Sequence, residues 1–261
     1  MNITNITNLA NIPTITDITY LANSIRTLIM IYLPVYFVLR IFTKQKYLWE
    51  LFTRGISICN SVNCIWLVYN YAIPNYKLFY DLNYGETPHF INGLYLFSAY
   101  LLIDGLFYLP EFIYTPSIQM LTTILHHFVG GIGIYVIAYQ NRGIGLAAYF
   151  ALTEISTPLL HVSWVLYTKK INNKFSKTIF ALFYLVFGLA RICTIPVLIH
   201  YLYINSDLIS NESSFHYWMV YIGSGTLICL NLLWYTLLTS KVSKMLLCAP
   251  KQRRKKSRKL D

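Results

Sequence analysis

The sequence predicts an all-α, polytopic membrane protein with seven transmembrane helices, and three observations carry that reading. Only 12% of the 261 residues are charged, while 56% are hydrophobic. A soluble domain carries roughly 25% charged residues because its surface faces water, so the apolar residues of this chain must face lipid. Seven apolar runs are long enough for a hydrocarbon layer of ~30 Å, which takes about 20 helical residues. Charge is also lopsided: of 21 Lys and Arg, seven lie in the run KQRRKKSRK that follows the last apolar run.

The apolar runs cover residues 22–42, 55–74, 92–109, 118–139, 143–167, 178–204 and 217–247. Each is a helix, because an unclosed sheet would leave backbone groups unpaired in lipid. The polar, Asn- and Thr-rich start lacks the basic end and apolar core of a cleavable signal peptide. The chain thus divides into a tail over 1–21, a first helix within 22–44, a helical domain over 45–247 and a basic tail over 248–261.

Loop charges orient these spans. Lys44, Lys46, Arg54, Lys169, Lys170, Lys174, Lys177 and the basic tail share one side. The other side carries only Lys77 and Arg142, beside Asp17, Asp81, Glu86, Asp207 and Glu212. Short-loop Lys and Arg mark the cytosol, which puts the C-terminus there and the N-terminus in the lumen or outside. Asn2, Asn5 and Asn211 stand in Asn-X-Ser/Thr sequons on that outer side and are candidates for glycosylation. A basic block after an apolar segment fits anionic lipid headgroups better than nucleic acid. Membrane lipids are therefore the expected partners, nucleic acid is not, and a homodimer remains open. Lys259, third from the end, is similar to a dilysine-type retrieval signal with Arg258 as its neighbour, and points to the endoplasmic reticulum. Cys59, Cys64, Cys193 and Cys229 fall inside apolar runs and read as packing residues. Cys248, beside the basic tail, is placed for reversible palmitoylation.

Ionisable groups at bilayer depth cost at least ~2.5 kcal/mol each and ask for a reason. Asp104 stands in the third span, His126 and His127 in the fourth, Glu154 and His161 in the fifth, Arg191 in the sixth and Asn231 in the seventh. By rise per residue, Asp104, His126 and His161 lie ~12 Å from the cytosolic ends, and the others lie near the midplane. Glu154, Pro158 and His161 are spaced for one helical face, and Pro158 should free the carbonyl of residue 154 and bend the helix. Pro196 should free the carbonyl of Ile192 in the same way. His126 and His127 point about 100° apart, so only one can face a given ligand squarely. A bland reading accompanies each: Glu154 with Arg191 as a structural pair, the twin histidines as interhelical donors, the aromatics as interface and packing residues.

Asp104, then His126-His127, then LTEISTPLLHVSW, then Arg191-Ile192 and Pro196 together resemble the TLC domain family over about residues 45 to 245. That family includes ceramide synthases, and the Glu154–Pro158 run with Trp164 looks most like its small stand-alone branch. The resemblance implies a six-helix barrel after one N-terminal helix, around a cavity for an acyl chain. It also implies adjacent histidines that serve N-acylation of a sphingoid base from acyl-CoA. By position that catalytic role falls to His126 and His127, with Asp104 as the orienting carboxylate. Glu154, Ser156, Thr157, His161, Arg191 and Asn231 are the expected cavity-lining, lipid-binding residues. In the stretch where synthases carry a His-Asp pair and a second Asp, this chain has Thr153-Glu154-Ile155-Ser156-Thr157, with one carboxylate and no histidine.

The leading functional expectation is therefore a lipid-handling membrane protein that binds an acyl chain or sphingolipid and affects membrane composition or traffic. The alternative is a ceramide-synthase-like N-acyltransferase with acyl-CoA as substrate; no cofactor and no metal are expected. A seven-helix receptor fits the topology, but the chain has no Asp-Arg-Tyr at a cytosolic helix end. A di-iron desaturase needs roughly eight histidines in HxxxH and HxxHH spacings; this chain has six and neither spacing. All of these site readings assume that the acid, the imidazoles and the guanidinium surround one apolar hollow.

Overall fold

A computed structural model describes residues 15–42, 45–74, 88–140, 143–211 and 214–248, and among them every regular element is a helix. In chain order these are α1 (Ile15–Tyr36), α2 (Lys46–Leu67), α3 (Pro88–Tyr114), α4 (Ile118–Gln140), α5 (Ile144–Thr153), α6 (Thr157–Thr168), α7 (Lys174–Phe187), α8 (Ile195–Ile204), α9 (Ser206–Ser210) and α10 (Ser214–Cys248). Among the described residues, six helical stretches are long and apolar enough to cross a membrane: Thr19–Ile41, Lys46–Tyr71, His89–Tyr114, Ile118–Gln140, Lys174–Ile204 and Phe215–Lys244. Asn2, Asn5, most of the N-terminal tail and the basic run after Cys248 lie outside the described residues.

Helices outrun their apolar segments where charge continues the turn. The sequence predicts a second span from residue 55, but α2 begins at Lys46, where Lys46 Nζ stands 3.8 Å from Glu50 Oε1 one turn on. Glu111 extends α3 beyond residue 109 and binds Arg40 at 2.8 Å, which ties the end of the first helical stretch to the third.

The fifth apolar run is one helical path with a break in it. α5 passes into a 3-10 turn over Glu154–Ser156 before α6 resumes, so neither half alone has the length of a membrane span. Pro158 sits in the first turn of α6, where its missing N–H costs nothing. The carbonyl of Glu154 accepts the N–H of Thr157 and is not free, contrary to the simple proline-kink expectation. The sixth run is modified differently. A π-helical turn over Gly188–Ile192 separates α7 from α8, with the Cys193 N–H reaching the Gly188 carbonyl at 3.0 Å. One extra residue per turn rotates Arg191 relative to a regular helix.

The distribution of polarity is the reverse of a water-soluble bundle. Met30, Val62, Ile113, Leu189, Ile222 and Leu237 are exposed. Ser98, Asp104, His127, Glu154, Arg191 and Asn231 are buried. Lipid as the outer solvent makes this arrangement favourable, since polar groups gain partners only inside. The most extensive packing joins α3 and α4, and small residues let the two backbones approach. Ser98 Oγ donates to the Gly131 carbonyl at 2.8 Å, and a Cβ on Gly105 would come within 3.1 Å of His127 Cβ.

The glycines of α4 differ in what they permit. A Cβ on Gly131 would lie 2.9 Å from Leu102 Cγ and 3.3 Å from Leu101 Cβ, whereas one on Gly133 meets nothing within 4 Å. Gly131→Ala should therefore cost about 1–3 kcal/mol through overpacking. Gly133→Ala should instead gain about 0.5–1 kcal/mol through reduced backbone freedom. Unfolding of both variants in mild detergent checks the opposite signs.

Candidate functional site

The interrupted helix and the π turn serve the same centre. The 3-10 turn brings the Thr153 carbonyl, Glu154 and Ser156 to one side, and the π turn turns Arg191 toward them. Arg191 Nη2 donates to Glu154 Oε1 at 3.0 Å, Nη1 to Asn231 Oδ1 at 3.1 Å and Nε to the Thr153 carbonyl at 3.1 Å. Ser156 Oγ is a further, weaker acceptor for Nε at 3.4 Å. Thr157 Oγ1 donates to the second oxygen of Glu154 at 2.7 Å. Burial is tolerable here because the charges are paired and almost every proton and lone pair has a use. The face of the guanidinium is flanked by Phe187 and Trp234, with ring centroids 5.1 and 5.7 Å from Cζ.

Each of the tandem histidines faces a different carboxylate, as a 100° offset requires. His126 Nε2 is 3.6 Å from Glu154 Oε1, too far for a hydrogen bond, and its ring packs edge-on to Trp234 at 5.2 Å. His127 Nδ1 is 3.3 Å from Asp104 Oδ2, although the alignment is too poor for a hydrogen bond. The other oxygen of Asp104 accepts from Tyr32 Oη at 3.0 Å. Tyr32 is fully buried in α1 and stacks on Phe107 at 5.2 Å. Covered from sequence only by the general reading of aromatics as interface and packing residues, it packs in the core and is also a polar partner of the acid. A lone Tyr among many gives no sequence signal for that role.

His161 belongs to neither carboxylate. The 3-10 turn breaks the regular phase that should align it with Glu154, and its Nδ1 lies 3.1 Å from Arg54 Nη1. Arg54 counts in the sequence only as a loop charge; α2 carries it into the bundle. Asn211, the one sequon asparagine among the described residues, is exposed at the end of α9, with Nδ2 donating to the Asp207 carbonyl at 2.8 Å. Cys59, Cys64, Cys193 and Cys229 are free thiols, and among the described residues no cluster of His, Cys, Asp and Glu is arranged for a metal ion.

The expected acyl-sized hollow is corrected by the packing. Glu154, Arg191 and Asn231 converge upon one another, while Asp104 with His127 and Arg54 with His161 form separate groups. A cavity of about 20 Å³ remains beside His126, Thr153, Glu154 and Asn231, walled by Phe97, Leu101, Phe150 and Leu227. That is room for about one water molecule, not for a lipid tail. A second cavity of about 20 Å³ shares Phe150 and Leu227 with the first and runs beside Gly133 and Gly223 to His216. The site thus contains a neutralised Glu154–Arg191 pair, a carboxylate-flanked imidazole at His127, and at His126 an Nδ1 with no partner. Chemically, such imidazoles can accept or donate a proton.

A family model described as the TLC domain matches residues 48–240. Comparison with curated proteins and with solved structures returns no match.

Hydrogen bonds to Arg191 and the longer contact of His126 should differ in worth. Asn231→Leu removes an acceptor from a buried cation and should cost about 1.5–3 kcal/mol. His126→Phe forfeits no hydrogen bond to Glu154 and should cost about 1 kcal/mol or less, as a near-isosteric swap. Denaturant unfolding of the two variants beside the parent chain measures the gap.

Proposed function

The chain belongs to the TLC domain family, and we propose that it handles lipid within the membrane, binding an acyl chain or sphingolipid against its buried polar core and so influencing lipid composition or traffic. It is a multi-pass membrane protein, with six helices among the described residues apolar enough to cross. In this reading the interrupted helix from Ile144 to Thr168 crosses as well, giving one N-terminal helix and a six-helix barrel. Loop charge then sets the N-terminus in the lumen and the basic end in the cytosol. The endoplasmic reticulum is the proposed membrane.

One observation supports the lipid reading above the rest. The polar-floored cavity adjoins an apolar seam between α4, α5 and α10, and Gly133 leaves that seam unfilled. A chain entering there would widen a path walled mainly by Val, Leu, Ile, Phe and Met, with His216 and Ser224 along it and its polar end beside His126 and Asn231. Such widening is a shift between states that the bound lipid must favour by its own contacts.

N-acyl transfer is the second reading, favoured by the Asp104 carboxylate beside His127. An imidazole so flanked can take a proton from an amine that attacks a thioester. Purified chain with acyl-CoA and a long-chain base should yield an amide that His127→Ala abolishes if this reading holds.

Native mass spectrometry in mild detergent tests lipid handling itself. An acyl lipid should be retained at one per chain, and Gly133→Leu, which fills open space, should lower retention about fivefold, equivalent to ~1 kcal/mol, without loss of fold. Retention unaffected by Gly133→Leu, or no lipid retained at all, contradicts the proposal.

A further inference from the structure

Arg54 is a cation held in place without a direct ion pair, Glu50 and Asp104 acting on it only at longer range. Arg40 closes on Glu111 at 2.8 Å and Arg191 on Glu154 at 3.0 Å. Among the described residues no carboxylate stands within ion-pair distance of Arg54, which is half-buried on α2 about 12 Å along the helix from Lys46. The guanidinium is nonetheless fixed. Its Cζ lies 3.8 Å above the Trp164 ring, and Trp164 stacks on Tyr47 at 5.9 Å. Lys169 Nζ covers the Tyr47 ring at 4.4 Å, so two cations share one aromatic wall at the lysine-rich end of the bundle.

His161 adds a donor whose acceptor is missing. Guanidinium nitrogens only donate, so the 3.1 Å contact from Arg54 Nη1 makes His161 Nδ1 an acceptor and places the imidazole proton on Nε2. His161 is 7% exposed, and its Nε2 is buried without a partner; so is Arg54 Nε. Buried donors are ordinarily satisfied, and two orphans on one touching pair call for an acceptor from outside the chain. A group with several anionic oxygens meets that demand, and Arg is the side chain best matched to phosphate.

We propose that Arg54, His161 and Lys169, backed by Trp164 and Tyr47, form a binding site for a phosphate ester at the basic end of the bundle. The site deepens the lipid-handling reading, and rests on it where the ester is a phospholipid headgroup; a soluble phosphate ester presents the same chemistry. Tight stacking on Trp164 leaves the edge of the guanidinium for hydrogen bonding, while exposed Lys169 supplies a second charge.

The full chain in mild detergent, titrated with phosphatidic acid, diacylglycerol of the same tails and glycerol 3-phosphate, provides the test by native mass spectrometry. Phosphatidic acid should bind about tenfold tighter than diacylglycerol, the worth of one charge-assisted contact. Arg54→Gln should abolish that preference. Lys169→Gln, at an exposed position that does not threaten folding, should reduce it about threefold, as a partly screened charge would. Competition by glycerol 3-phosphate at similar strength assigns the site to soluble esters; its failure to compete assigns it to lipid headgroups. Equal binding of phosphatidic acid and diacylglycerol overturns the phosphate site while leaving lipid handling intact. A preference that survives both Arg54→Gln and Lys169→Gln overturns it equally.

Discussion

Arg191 is the charge around which the rest of the interior is arranged. A guanidinium between lipid-facing helices is tolerable only if acceptors surround it before lipid does. Four come from two other elements: Glu154, the Thr153 carbonyl and Ser156 from the broken fifth helix, and Asn231 from α10. Each requirement shapes a backbone. The Thr153 carbonyl, at the head of the 3-10 turn, has two lone pairs and accepts from Arg191 Nε at 3.1 Å as well as from Ser156 Oγ at 3.3 Å. The π turn at Gly188–Ile192 adjusts the angle from which the side chain approaches. Irregular backbone here is the means by which a buried charge is satisfied, and such irregularity is allowed in a membrane only where protein covers it.

Asp104 poses a separate, smaller problem and has a separate solution. Tyr32 reaches it from α1, and His127 from α4 lies alongside. The close approach of α3 and α4 at Gly105 and Gly131 is what allows the acid and the imidazole to meet. The imidazoles of His126, His127 and His161, the carboxylates of Asp104, Glu111 and Glu154 and the guanidiniums of Arg40, Arg54 and Arg191 thus distribute over the bundle without forming one pool. Arg191 draws on Glu154, Arg40 draws on Glu111, and Arg54 touches His161 and Trp164.

Six of the seven expected spans were legible from hydropathy among the described residues, because lipid enforces apolar runs of fixed length; the fifth run is broken between α5 and α6. The membership of the polar centre was legible as well, since intramembrane charge is rare enough to stand out; Glu154, Arg191 and Asn231 do meet. Three features were not. The 3-10 turn follows from what Arg191 needs across the bundle, a non-local demand that the TEISTP segment does not display. Tyr32 is one of 23 tyrosines, and nothing local separates it from those at the interface. Arg54 sits in a charged segment that hydropathy assigns to a loop, yet Lys46 and Glu50 extend α2 so that Arg54 faces His161. The cavity for an acyl chain was implied by the family resemblance and assumed to lie where the polar groups meet, but convergence and emptiness are different properties: Phe97, Leu101 and Leu227 wall a space of only about 20 Å³ there.

Charge reversal at the central pair tests this account most directly. Glu154→Arg and Arg191→Glu, each alone, leave like charges facing one another and should each cost about 3–5 kcal/mol or abolish folding. Combined in one chain, they restore opposite charges in contact, and folded yield and resistance to unfolding should recover well above either single variant. Single reversals as stable as the parent, or a double variant no better than the worse single, would contradict direct pairing of Glu154 with Arg191.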